Sequence, residues 1–370
     1  MLRGENWRHF DFWLLGAVIL ANVFGVAMIR SAIAGNEILA TVVPRQIIFA
    51  GIGLVAIVLF AAIDYRFWAG LIRPIYIVTL IFLSTLFVLG QASFGATRWL
   101  QAGLISIQPT ELAKIVAILS MAYYFERTMN APRDLYWIGR SLLVAAGIAF
   151  FIFVQPNLSN TLVVLVLWFL MIWVNGLKLE HLVAFAGIGL VLGLVALFAP
   201  FSPLEEYQRQ RVFTFLFPDP NASYGATYNV QQALIAIGSG GWLGEGYGQA
   251  TQVQLRFLKV RHTDFIFSAT AAEFGFVGTV LVMLLIAFIV YRCLRAARLA
   301  RDTYGAMIAY GVGMLIFFQA AVNIAVNLRL IPVTGLPLPF ISYGGSGLVS
   351  LMAAIGLVES VVVRHKPLEF

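Results

Sequence analysis

The sequence predicts an all-α integral membrane protein with about ten transmembrane helices. Of its 370 residues, 61% are hydrophobic and only 11% are charged, whereas soluble domains carry about 25% charged residues. The mean hydropathy is +0.90, and apolar blocks recur from residue 12 to residue 363 without a polar stretch long enough to form a separate domain. We therefore exclude a soluble enzyme and expect a single polytopic membrane domain over residues 1–370.

Ten segments are apolar enough to cross a bilayer as helices, which need roughly 20 residues each. They lie near residues 12–30, 46–63, 73–90, 109–125, 141–155, 160–176, 181–200, 264–291, 304–327 and 340–363. The fifth and sixth are short, and the sequence Gln155-Pro156-Asn157 between them predicts a tight turn or a broken-helix pair. The loop at about 201–263 is rich in aromatic residues, so we expect it to be ordered.

Lysine and arginine are distributed unevenly among the connecting segments. Fourteen lie in segments on the same side as the N-terminus, and four lie in the short loops on the other side. Because cytoplasmic loops collect positive charge, both termini are expected in the cytoplasm, and the large loop between helices 7 and 8 is expected to be extracytoplasmic. The net charge of +7 therefore reflects topology, and nucleic acid is not an expected partner. The four histidines are scattered, without the spacing of a metal site.

Charged residues at membrane depth are few, and each needs a partner or a function, because insertion costs at least ~2.5 to 3.5 kcal/mol. Glu111 and Lys114 share one helix face and form either a structural ion pair or part of an outer cavity. Asp264, at the outer edge of the eighth span, is either a helix N-cap, which composition favours, or a carboxylate base. Glu273 is expected to hydrogen-bond a neighbouring span, and Glu359 to snorkel to the inner surface.

The large loop contains cations that suit a ligand with phosphate groups. Arg209 and Arg211 alternate in its first part, and guanidinium groups bind phosphate bidentately. A solvated charged face explains the same residues. Beside an outer-leaflet cavity, however, they would suit a lipid-linked pyrophosphate.

Seven stretches, spread over nearly the whole chain, carry a resemblance to a known family. They are Gly95–Leu100, Gln108–Lys114, Gln155–Leu158, Tyr207–Arg211, Ala236–Gly241, His262–Phe267 and Pro337–Gly345. In these stretches the chain resembles the SEDS family (shape, elongation, division and sporulation) of bacterial cell-wall polymerases. The Tyr-Gln-Arg-Gln-Arg run is closer to the RodA branch than to the FtsW branch.

The resemblance implies a peptidoglycan glycosyltransferase that polymerises lipid II at the outer face of the bacterial cytoplasmic (inner) membrane during rod-shape elongation. It implies a class B penicillin-binding protein as activator, within the elongation machinery. The family's essential aspartate falls on Asp264, which would take the proton from the acceptor sugar's C4 hydroxyl while undecaprenyl pyrophosphate leaves the donor with inversion. Substrate-binding roles fall on Arg98, Trp99, Glu111, Lys114, Arg209, Arg211, His262, Thr263 and Ser342. No cofactor is firmly implied; cationic side chains or a divalent cation such as Mg²⁺ are the alternatives at the pyrophosphate.

The chain departs from the family pattern at Asn157, Glu245 and the pair Lys259-Val260, none of which touches Asp264. Other functions remain open from the sequence. They are a lipid II flippase or another lipid-linked sugar transporter, a FtsW-like division polymerase, and a scaffold that only recruits the penicillin-binding protein. Ionisable residues cluster at the outer end of the spans, with Glu273 as the exception, which favours surface chemistry over transport.

Overall fold

The computed structural model describes residues 6–35, 37–89, 91–93, 96–102, 105–198, 204–218 and 225–365. Its helices are α1 (Phe12–Ala32), α2 (Val42–Ala62), α3 (Tyr65–Leu89), α4 (Pro109–Arg127), α5 (Leu135–Val154), α6 (Leu158–Val174), α7 (Leu179–Phe198), α8 (Glu206–Leu216), α9 (Gly225–Ser239), α10 (Thr251–Gln254), α11 (Ile266–Leu299), α12 (Thr303–Asn327) and α13 (Gly345–Val363). Short 3-10 helices cover Asn6–His9 and Glu37–Leu39. Three strands, β1 (Gln91–Ser93), β2 (Ala96–Ala102) and β3 (Ile105–Ile107), pair antiparallel in that order.

Each of the ten predicted spans overlaps one helix in the part of the chain that the structure describes. Within the described residues, α1, α2, α3, α5, α11, α12 and α13 are long and apolar enough to cross a membrane. The helix α6 has 17 residues, and α4 is less apolar because it carries Glu111 and Lys114. The predicted helical, multi-pass membrane class is confirmed, and the small sheet between α3 and α4 adds to it.

Polar residues in the connections define where several helices begin. Asp11, Asp134, Asn157 and Asp302 each accept a hydrogen bond from the backbone N–H three residues ahead. Such bonds satisfy donors that the first helical turn leaves unpaired. Because Asn157 caps α6 directly after α5 ends at Val154, the predicted tight turn is confirmed.

Helix α13 lies at the centre of the bundle and contacts α2, α4, α11 and α12. All of its residues from Ser350 to Val363 are buried. Glycines allow the close contact with α2: a Cβ on Gly356 would lie 2.7 Å from the carbonyl oxygen of Ile57, and one on Gly53 would collide with Met352. Small residues at a helix contact let the backbones approach, which is the usual device in membranes.

The central position of α13 overturns the prediction that Glu359 snorkels to the surface. Glu359 is fully buried, and its Oε2 accepts a hydrogen bond of 2.9 Å from the backbone N–H of Asp11. Asp11 in turn pairs with Arg292 of α11 at 2.5 Å. The side chain of Glu359 is surrounded by other helices, so it joins the start of α1 to α11 and α13 instead.

The start of α13 also differs from the prediction, since the helix begins at Gly345 and the span was expected from residue 340. Pro337 and Pro339 lack the backbone donors that a helix needs. Phe340 has φ of 64°, a left-handed conformation that interrupts a helix. Residues 337–344 therefore form an irregular turn beside the segment that precedes α11.

Helix α11 is interrupted at Gly275, which has φ of 64° and ψ of −161°. The segment 240–246, which follows α9, fills the interruption. The N–H groups of Glu245 and Gly246 donate to the carbonyls of Ala272 and Glu273, at 2.9 and 3.0 Å. The N–H groups at 276 and 277 donate to the carbonyls at 241 and 242, at 2.9 and 3.1 Å. The backbone groups released by the break are thus satisfied within the protein, as a membrane requires.

Glu273 lies two residues before the break at Gly275, and its predicted hydrogen bond to a neighbouring span is confirmed. Its Oε1 accepts a hydrogen bond from the hydroxyl of Ser31 in α1. Both side chains are buried. The described part of the large loop holds α8, α9 and α10. Of these, α9 and α10 contact α11, and α10 also contacts α1.

Candidate active site

Asp264 lies in the segment that leads into α11 and is not the cap of that helix. Phe265 is the N-cap residue, without a side-chain capping bond, so the capping role that composition favoured is wrong. The backbone carbonyl of Asp264 instead accepts hydrogen bonds from the amides of Asn323 and Asn327 in α12, at 3.0 and 2.9 Å. Asn327 also accepts a 2.6 Å hydrogen bond from the hydroxyl of Ser268. This arrangement holds the Asp264 backbone between α11 and α12 and leaves its carboxylate free for another role.

The Asp264 carboxylate lies next to the segment that joins α12 to α13. A Cβ placed on Gly335 would lie 3.8 Å from Oδ2 of Asp264. Burial raises the pKa of Asp264 above its ordinary value, and the nearby positive charge of Arg211 partly opposes this effect. A carboxylate with a raised pKa binds a proton more strongly and is a better general base.

Arg211 of α8 reaches the same segment from the other side. Its Nη1 donates to the carbonyls of Val333 and Thr334, at 3.3 and 3.5 Å. It lines a cavity of about 420 Å³ between α6, α8, α12 and the segment 331–336. Apolar residues of α6, α8, α12 and the segment 331–336 together form most of the cavity wall, and Asn157, Tyr207 and Gln208 supply polar groups. The cavity therefore combines an apolar wall with a cation near Asp264.

The structure separates the two arginines that the sequence grouped. Arg209 and Arg211 are two residues apart on α8, which turns their side chains about 200° away from each other. Arg211 lines the 420 Å³ cavity and Arg209 does not. The Nε of Arg209 is buried without a hydrogen-bond partner among the described residues. Of the two arginines, only Arg211 is close enough to lower the pKa of Asp264.

Glu111 and Lys114 form the buried ion pair that was one of their two predicted roles. Nζ of Lys114 lies 2.8 Å from Oε1 of Glu111, and the Lys114 side chain is 1% exposed. Nζ also donates to Oδ1 of Asn160 in α6, at 3.2 Å. The pair joins the start of α4 to α6, near Gly347 at the start of α13.

His262, Thr263 and Ser342 connect the segment before α11 to the turn before α13. The hydroxyl of Ser342 donates to the carbonyl of Thr263 at 2.7 Å and accepts from the backbone N–H of Leu338 at 2.9 Å. The carbonyl of His262 accepts from the backbone N–H of Tyr343 at 2.9 Å. Burial, aided by the charge of Arg261, lowers the pKa of His262, which keeps its ring neutral near pH 7. These residues fix the loop that carries Asp264.

Arg98 and Trp99 lie in β2, and their side chains are outside the described part of the structure. The departures from the family pattern have local functions: Asn157 caps α6, and Oε2 of Glu245 accepts hydrogen bonds from the backbone N–H and hydroxyl of Thr251, at 2.8 and 2.9 Å. Sequence reasoning missed Asn323 and Asn327. Their signal was available, because two amides spaced i, i+4 in a membrane helix indicate a functional contact.

Among the described residues, no group of three His, Cys, Asp or Glu side chains is arranged to hold a metal ion. Mg²⁺ commonly takes one or two carboxylates and completes its coordination with substrate phosphates and water. Asp264, near Arg211, is the carboxylate that would serve in that manner.

Comparison with known proteins places the chain in one family. The model of the cell cycle protein family FtsW/RodA/SpoVE matches residues 9–366. Peptidoglycan glycosyltransferase MrdB of Escherichia coli strain K12 is 36% identical over 363 residues, covering 97% of this chain and 95% of that protein. The probable peptidoglycan glycosyltransferase FtsW of Aliivibrio salmonicida is 34% identical over 360 residues, covering 94% and 88%.

Two solved structures resemble the fold as well. Rod shape determining protein RodA of Thermus thermophilus matches with a TM-score of 0.71 at 30% identity, over 96% of this chain and 98% of that one. A chain from a peptidoglycan synthase complex, described as coordinating polymerization and crosslinking, matches with a TM-score of 0.80 at 30% identity, over 95% and 97%. The protein therefore belongs to the FtsW/RodA/SpoVE family of cell cycle proteins.

Proposed function

We propose that this protein is a peptidoglycan glycosyltransferase that polymerises lipid II during rod-shape elongation, with Asp264 as the catalytic base. The relative MrdB, which matches 97% of this chain, is named a peptidoglycan glycosyltransferase. The structural observation that carries the proposal is the placement of Asp264. Its backbone is clamped by two buried amides, and its carboxylate is free of capping duties and lies near the cation that lines a large apolar cavity.

The chemistry needs one base and a stabilised leaving group. Asp264 accepts the proton of the acceptor sugar's C4 hydroxyl while the oxygen attacks the anomeric carbon of the donor. The bond from that carbon to the pyrophosphate oxygen breaks, and undecaprenyl pyrophosphate leaves with the bonding electrons. An in-line attack of this kind inverts the anomeric centre and needs a single carboxylate.

The cavity beside Arg211 suits the lipid-linked donor. Its volume of about 420 Å³ and apolar wall accommodate part of a prenyl chain. Arg211 lies at its polar rim and is the cation best placed for the pyrophosphate. His262, Thr263 and Ser342 hold the loop that carries Asp264. The ion pair of Glu111 and Lys114 joins α4 to α6.

The proposed location is the bacterial inner membrane, with Asp264 and the large loop outside the cell. The support is the excess of arginine and lysine at the opposite end of the bundle. A class B penicillin-binding protein is the proposed activating partner. The similar chain from a peptidoglycan synthase complex supports a partnership of this kind.

Glycan synthesis from purified lipid II tests the proposal, using the protein together with its penicillin-binding partner. Asp264→Asn keeps the size of the side chain but removes its basicity, so glycan chains are expected to disappear while the unfolding temperature stays the same. Glu180→Gln, an exposed carboxylate on α7, is the matched control and is expected to polymerise normally. Wild-type rates from the Asp264→Asn protein would refute the assignment of the base.

The same preparation in liposomes separates polymerisation from transport. Lipid II confined to the inner leaflet would be translocated without glycan products by a flippase, and that result would refute the proposed activity. A scaffold, in turn, would leave cell shape intact when Asp264→Asn replaces the wild-type protein in cells.

A further inference from the structure

A second large groove lies between α3, α4 and α5, at the end of the bundle opposite Asp264. It consists of a cavity of about 700 Å³ and an adjoining one of about 520 Å³, which share Arg73, Tyr123 and Arg127. Helix α4 begins beside Ser346 at the Asp264 end and spans about 28 Å over its 19 residues. Arg127, its last residue, is therefore far from the active site.

Three arginines dominate the charge of the groove, although Glu126 interacts electrostatically with one of them, Arg127. Arg73, Arg127 and Arg140 line it and are exposed. In the described ranges, none of the three forms an ion pair with a carboxylate. Arg127 lies over the ring of Tyr123, with 5.3 Å between its guanidinium carbon and the ring centroid. Glu126 is the acidic residue of the lining, and it belongs to the smaller cavity. The larger cavity thus has a positive rim that is suited to an anion.

A buried hydroxyl and preformed walls complete the site. Ser120 lines the larger cavity and is only 6% exposed, and its Oγ has no hydrogen-bond partner in the part of the chain that the structure describes. The hydroxyl of Tyr76 in α3 donates to the carbonyl of Val144 in α5 at 2.9 Å. The hydroxyl of Tyr124 in α4 donates to the carbonyl of Trp137 in α5, also at 2.9 Å. These bonds fix α5 against α3 and α4 and so shape the walls of the groove.

The groove opens sideways onto exposed apolar residues. Ile77 of α3 and Leu143 of α5 line it and are 56% and 70% exposed. A soluble anion would gain nothing from this apolar wall, whereas a lipid would lay an acyl chain along it. A positive rim above an apolar wall is the pattern of a phospholipid site.

We propose that this groove binds an anionic glycerophospholipid of the adjoining leaflet. Its phosphate contacts Arg73, Arg127 and Arg140, the glycerol region reaches the hydroxyl of Ser120, and an acyl chain lies along the apolar wall. The site is independent of the proposed catalytic function. With the proposed topology, the leaflet is the cytoplasmic one, which carries negative surface charge.

The test measures binding of phosphatidylglycerol and phosphatidylcholine to the purified protein by native mass spectrometry. Wild-type protein is expected to prefer phosphatidylglycerol. The triple variant R73Q/R127Q/R140Q is expected to bind phosphatidylglycerol at least about tenfold more weakly. Ser120→Ala keeps every charge and is expected to weaken binding several-fold, which keeps the proposal testable if the triple variant fails to fold.

The matched control is R295Q/R298Q/R301Q. It removes the same charge from three exposed arginines that line neither cavity of the groove. Its affinity for phosphatidylglycerol is expected to equal that of the wild type. An equal loss in both triple variants, or equal binding of the two lipids by the wild type, would overturn the proposal. Inorganic phosphate that competes as well as the lipid would also overturn it, because the site would then bind soluble anions.

Discussion

Replacing Gly275 with alanine is expected to destabilise the protein, because the break in α11 requires a residue without Cβ. The conformation at φ 64° and ψ −161° costs other residues about 1–3 kcal/mol. The new Cβ would lie 2.6 Å from the N of Leu243 and from the carbonyl carbon of Trp242. These are backbone atoms that cannot rotate away, and such overpacking costs about 1–3 kcal/mol more. The total, about 2–6 kcal/mol, is a large part of a typical stability of about 5–15 kcal/mol.

Thermal unfolding of the purified protein in detergent measures this effect, together with glycan synthesis at a permissive temperature. The Gly275→Ala variant is expected to unfold at a clearly lower temperature and to lose activity, because the first part of α11 carries the Asp264 loop. Gly51→Ala in α2 is the control: its Cβ would meet nothing within 4 Å, so it is expected to stabilise by about 0.4–1 kcal/mol. Equal unfolding temperatures for Gly275→Ala and the wild type would refute the reasoning.

Three further outcomes follow from the site. Catalysis requires deprotonated Asp264, so the rate is expected to fall as the pH decreases through its raised pKa. Arg211→Gln removes the positive charge that lowers this pKa. The variant should therefore move the acid limb of the pH–rate profile to higher pH. Superimposable profiles would count against that role for Arg211. Lys114→Met leaves Glu111, whose side chain is only 12% exposed, without its partner. This loss should cost up to about 3–5 kcal/mol in unfolding experiments, and the double variant with Glu111→Gln should recover part of it. Asn327→Ala removes a donor to the Asp264 carbonyl and should lower kcat more than it changes KM for lipid II, whereas an unchanged kcat would show that the clamp does not position the base.

Several features of the site followed from local sequence alone. The turn at Gln155-Pro156-Asn157 was predictable because proline and a capping amide act within a few residues of themselves. The Glu111–Lys114 pair was predictable as one of two alternatives, since i, i+3 spacing on a helix brings the side chains together. The prediction that Asp264 caps α11 was wrong. A position near a helix boundary does not decide which groups hydrogen-bond to the residue, and the N-cap residue is Phe265.

The sequence by itself determined the helical, multi-pass membrane class and predicted the region of the candidate base. In a solvent without hydrogen-bond partners, hydropathy over some 20 residues decides where a helix crosses. Only the tertiary structure decided that Glu359 is buried at the centre, that Arg211 and not Arg209 reaches Asp264, and that segment 240–246 fills the break at Gly275. Each of these depends on which distant helix packs against the residue, and a one-dimensional pattern does not contain that information.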